Sequence, residues 1–140
     1  MFAIFLLVVA GCGGSTNAQS AQVCSAITGL GGNRDDFKTI LTTDRVEDAY
    51  AAIDRVSQRT QAAINALKEV NDGPIAVEAE KLAVLEEGLL PILDQFRAVS
   101  DQASWTAAGE AYTRWYNQSI SVIADVAPRL ADLGVHCAPA

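Results

Sequence analysis

The sequence predicts an all-α domain: an antiparallel up-down helical bundle of three long helices preceded by a shorter N-terminal helix. Two observations carry that expectation. Apolar residues recur at alternating spacings of three and four over three long stretches, and no segment alternates apolar and polar residues as a half-buried strand does. Compact turn and cap signals separate the stretches, the clearest being Asn71-Asp72-Gly73-Pro74.

The elements follow in order. Val23, Ile27 and Leu30 form one stripe of a short first helix, which Gly29, Gly31, Gly32 and Asn33 bring to an end. Asp35 to Leu41 adds a helical turn or two, with Phe37, Ile40 and Leu41 turned inward. Asp44-Arg45-Val46-Glu47 has the spacing of a capping box. Behind it Val46, Ala49, Ile53, Val56, Thr60, Ala63, Leu67 and Val70 make the core face of the first long helix. Gly73 suits a left-handed helix end and Pro74 the first turn of the next helix. That second long helix carries Ile75, Leu82, Leu85, Leu89, Ile92, Phe96 and Val99 on the same period. Ser100 to Ser104 supplies a cap for the third, whose stripe runs from Trp105 through Tyr112, Trp115, Ser119 and Val126 to Leu133, with Gly134 ending it. Each long helix spans about 26 to 30 residues, hence ~40 to 45 Å at the helical rise.

The chain opens on an apolar run, Met1 to Ala10, that ends in small residues before a cysteine. Val9-Ala10-Gly11-Cys12 resembles the lipobox of bacterial lipoproteins. That resemblance implies removal of residues 1 to 11, attachment of diacylglycerol to Cys12, and an acylated Cys12 as the new N-terminus. It covers the signal alone. A secretory signal also has a basic leader, and no Lys or Arg precedes Cys12, so the native translation start is expected upstream. A plain secretory signal is the alternative; a spanning helix needs roughly 18 to 20 apolar residues, more than this run has. The expected organisation is a signal peptide over 1–11, a small, polar, flexible tether over 12–20, and a helical bundle domain over 21–140.

Every charged residue lies after Cys12, so the formal net charge of −7 belongs to the exported part. Such a surface repels nucleic acid and anionic membranes. Membrane contact is therefore expected through the lipid on Cys12, which places the protein at the outer face of the cytoplasmic membrane or in the cell envelope. With Cys12 acylated, Cys24 and Cys137 remain as an even pair in an oxidising compartment. A disulfide between them would close nearly the whole domain and contribute about 4 to 5 kcal/mol. Two free thiols or a metal pair are the alternatives, although a single histidine offers a metal little else.

The middle of the bundle holds the most informative candidates. Ser57 and Thr60, Gly88 and Pro91, and Asn117 and Ser119 fall midway along the three long helices, at one level. Pro91 lacks an N–H and displaces the carbonyl of Glu87, so a kink is expected there. Thr60, Pro91 and Ser119, with Trp115 and Tyr116, are the candidate ligand-binding residues of a small mid-bundle pocket. The competing reading is that these hydroxyls satisfy freed carbonyls and that Trp105, Tyr112, Trp115 and Tyr116 are core. Pro128 is expected to bend the last helix. Glu78, Glu80, Glu86 and Glu87 read as a solvated acidic face. No Glu-x-x-His motif is present, and His136 sits in a tail, so no catalytic residue, metal site or cofactor is assigned.

The leading functional expectation is a non-enzymatic, lipid-anchored envelope protein whose bundle binds a partner, either another envelope protein or a cell-wall component, and not nucleic acid. The alternative is a carrier or sensor of a small apolar ligand. A cavity at the level of Thr60, Pro91 and Ser119 would favour the carrier; a solid core with an exposed apolar patch would favour the partner binder.

Overall fold

A computed structural model describes residues 17 to 137. The described chain is an all-helical bundle without strands, built from α1 (Asn17–Leu30), α2 (Asn33–Thr42), α3 (Val46–Lys68), α4 (Gly73–Glu87), α5 (Leu89–Arg97) and α6 (Gln102–Asp132). The lipobox and Cys12 lie outside the described residues. Residues 17 to 20, expected in the tether, already belong to α1.

The expected break after the first helix forms, and the second long helix, expected as one kinked element, is divided in two. Between α1 and α2, Gly31 and Gly32 make successive tight turns, their N–H groups bonding to the carbonyls of Thr28 (3.0 Å) and Gly29 (3.1 Å). A Cβ at position 32 would stand 2.9 Å from the guanidinium carbon of Arg59, so that side chain would have to shift to admit one. The second long helix breaks at Gly88, which separates α4 from α5. Pro91, three residues into α5, has no N–H for the carbonyl of Glu87, so helix geometry is lost one turn ahead of the proline. At the break the Gly88 N–H reaches the carbonyls of Leu85 (3.0 Å) and Val84 (3.3 Å). Pro128, by contrast, sits inside a continuous α6.

Several local signals resolve differently from the sequence reading. The expected capping box at Asp44 does not form: Arg45 is the N-cap of α3 and no side chain caps it. The hydroxyl of Thr43 takes the Arg45 N–H instead, at 3.1 Å. A reciprocal box does form ahead of α6. There the Ser104 N–H donates to the Asp101 carboxylate (2.7 Å), and the Asp101 N–H donates to the Ser104 hydroxyl (3.1 Å). Asp72 caps α4 by accepting from the Ile75 N–H at 3.0 Å. Gly73 enters that helix rather than turning left-handed; among the described residues only Gly134 has positive φ, at 76°. There it lets the Val135 N–H fold back onto the Leu130 carbonyl at 2.8 Å.

The core has two parts. One is aliphatic: Val23 of α1 packs with Ile64 and Leu67 of α3, Ile75 and Leu82 of α4, and Val126 and Leu130 of α6. The Cys24–Cys137 disulfide closes this end, with a Cα–Cα distance of 5.0 Å. The other is aromatic: Phe96 of α5 and Tyr112 and Trp115 of α6 pack with Ile40 of α2 and with Ile53 and Val56 of α3. Thr60 and Ser119 stand where one part gives way to the other in their respective helices.

Candidate functional site

The boundary layer is where the sequence reading places a pocket. Its two hydroxyls are turned onto their own helices. Buried Thr60 donates to the Val56 carbonyl (2.8 Å) and buried Ser119 to the Tyr116 carbonyl (2.8 Å). Pro91 lies on the exposed side of α5. Ser57 reaches across to α4 and donates to Glu86 at 2.7 Å, which takes that carboxylate out of the supposed solvated face. The helix break is served by an unexpected donor: the Trp115 indole N–H bonds to the Leu85 carbonyl at 2.5 Å. Of the five candidate ligand residues, Thr60, Trp115 and Ser119 are thus engaged inside the protein. Tyr116 stacks on Phe37 with centroids 4.3 Å apart, at the edge of a groove between α6 and the α1–α2 turn.

A buried ionic cluster was missed by sequence reasoning. Asp36 of α2 is enclosed, with its side chain 7% exposed. Arg55 holds one carboxylate oxygen through Nε (2.9 Å) and Nη2 (2.5 Å), and Arg59 holds the other. Arg59 also donates to the Asn33 side-chain carbonyl at 3.3 Å. Burial by itself pushes the Asp36 carboxyl upward. The hydrogen bonds and charges of the two arginines outweigh it and hold the group below its ordinary value. Nearby Tyr112 is fully buried, its hydroxyl has no hydrogen-bond partner among the described residues, and burial followed by the Asp36 charge pushes its ionisation up. The carboxylate is neutralised by two cations, so the cluster ties α2 to α3 rather than offering a reactive group.

The outer surface carries the other candidate. A groove of about 850 Å³ runs between α4 and α6, with Ala76, half-buried Leu85 and half-buried Val122 among its lining residues. Val77 and Val84 stand along it at 55% and 68% exposure, one helical repeat apart. Its rim is charged and polar: Glu80, Lys81, Gln118 and Asp125. Lys81 is bonded to Glu78 at 2.6 Å and Glu80 to Lys68 at 3.0 Å. No periodicity argument marks Val77 and Val84, because both lie off the core stripe of their helix. They are legible only as apolar residues in the wrong place.

Among the described residues no group of three or more His, Cys, Asp or Glu side chains is arranged to hold a metal ion, and no helix is long and apolar enough to cross a membrane. No family model, curated protein or solved structure matches the chain. Fold and surface together define a class: a disulfide-tied helical bundle with an apolar groove on its outer face.

Proposed function

We propose that the protein is a lipid-anchored component of a bacterial cell envelope whose helical bundle binds a partner and performs no chemistry of its own. The anchor is Cys12, by the resemblance of Val9-Ala10-Gly11-Cys12 to a lipobox. The observation that carries the binding half is the contrast between interior and surface. Thr60 and Ser119 are packed and internally bonded, whereas Val77 and Val84 stand exposed over the α4–α6 groove. We read the helices as an antiparallel up-down bundle, with α1 and α2 as the shorter first member and α4 with α5 as one broken member. Short connections between α3 and α4 and between α5 and α6 support that order. A carrier of a small apolar ligand has less support, since the mid-bundle hydroxyls face their own carbonyls and Pro91 faces outward.

The test has two arms. Cells fed labelled palmitate should incorporate it into the full chain and not into the Cys12→Ser variant; equal labelling of both overturns the anchor. Cross-linking on intact membranes should capture a protein adduct that Val84→Glu removes. An adduct indifferent to that change overturns the groove.

A further inference from the structure

The exposed face of α4 is complementary to itself. Taken about a point between Glu80 and Lys81, the face reads the same in both directions: Val77 matches Val84, Ala76 matches Leu85, and Glu80 matches Lys81. A second α4 laid antiparallel across that point sets valine on valine twice and carboxylate against ammonium twice. These are the terms a two-fold contact requires, because each residue meets a copy of its opposite number. Lys81 already bonds Glu78 and Glu80 already pairs with Lys68; the Lys81 ammonium retains further donors, and the Glu80 carboxylate a second oxygen, for a partner from outside.

We propose that the partner of the α4–α6 groove is a second copy of this chain, docked through an antiparallel, two-fold α4–α4 contact. Val77 of each copy packs on Val84 of the other, and Glu80 of each pairs with Lys81 of the other. The proposal rests on reading the groove as a binding surface and not on the lipid. For an anchored protein it means that the two α1 N-termini emerge at opposite ends of the pair, which lies along the membrane with one anchor at each end. The net charge of −7 on each copy opposes association at low ionic strength, so the contact is strongest near 0.15 M salt or above.

The register gives a sharp test. Two differently tagged full-length copies are co-expressed and treated in intact cells with a short bismaleimide, with untouched copies as the control for native thiols. Val77→Cys on one copy and Val84→Cys on the other should cross-link. Val77→Cys on both should not, since antiparallel docking holds the two positions 77 apart by about seven residues, or ~10 Å. Sedimentation of the detergent-solubilised full chain supplies the affinity. Glu80→Lys alone and Lys81→Glu alone should each weaken the dimer about fivefold, and the two together should restore it. All four sites are exposed, so the fold, followed by circular dichroism, is expected to persist.

A chain that stays monomeric at ~100 μM overturns the proposal, as does a dimer that cross-links through Val77→Cys alone or ignores the charge swaps. A monomer whose groove still captures a different membrane protein also overturns it, while leaving the proposed function standing. A dimer without palmitate on Cys12 would uphold it and remove the anchor.

Discussion

The two parts of the core are held by opposite means. The aliphatic part is packed from Val, Ile and Leu side chains and then closed by the Cys24–Cys137 bond. The aromatic part has no covalent tie. It relies on large stacked rings, such as Phe37, Tyr112 and Tyr116, and on a buried carboxylate gripped by two arginines. A disulfide acts chiefly by restricting the unfolded chain, whereas an ion pair acts in the folded one and depends on solvent and pH. The two halves should therefore respond to different perturbations, and the polar boundary at Thr60 and Ser119 allows them to do so separately.

The largest effect is expected at the covalent end. Replacing Cys24 and Cys137 together by serine, or reducing the bond, releases a loop of 113 residues and should lower stability by about 4 to 5 kcal/mol in chemical denaturation. A loss below ~1 kcal/mol would mean that packing alone closes that half.

Next comes Asp36. Asp36→Ala leaves Arg55 and Arg59 without their shared carboxylate and should cost about 2 to 3 kcal/mol. The figure is kept low because Arg55 and Arg59 remain 47% and 31% exposed and regain water. Because the Asp36 carboxyl is held below its ordinary value in the folded state, its contribution is complete above about pH 4 and disappears as pH falls through the lowered value. Asp36→Asn should therefore flatten the acid limb of the stability profile, and an unchanged limb would remove the cluster from the account. Trp115→Phe, which orphans one bond to the Leu85 carbonyl, should cost about 1 kcal/mol at the boundary.

What was legible in the sequence divides along the same physical line. Features carried by neighbours in the chain came through: the stripes of α3 and α6, the turn at Asn71-Asp72-Gly73-Pro74, a distortion next to Pro91, and the cysteine pair by parity. The arginine-held carboxylate did not. Asp36 and its partners are 19 and 23 residues apart on separate helices, and each alone reads as an ordinary surface charge. The division between α1 and α2 was visible in Gly29, Gly31, Gly32 and Asn33, but the approach of Arg59 to position 32 is a contact that no local pattern announces. Asp44 shows the reverse failure: its spacing suits a capping box, yet the hydroxyl of Thr43 wins the free N–H. The pocket hydroxyls were given an open role; once the helices pack, Thr60 and Ser119 find acceptors one turn back in their own helices.

The two-part core is tested most directly by native-state hydrogen exchange of the full chain, measured residue by residue before and after selective reduction of Cys24–Cys137. The amides around Ile64, Leu67, Val126 and Leu130 should lose protection by orders of magnitude, while those around Ile53, Val56, Tyr112 and Trp115 keep most of theirs. Equal loss in both groups would show a single cooperative core and contradict the division drawn here.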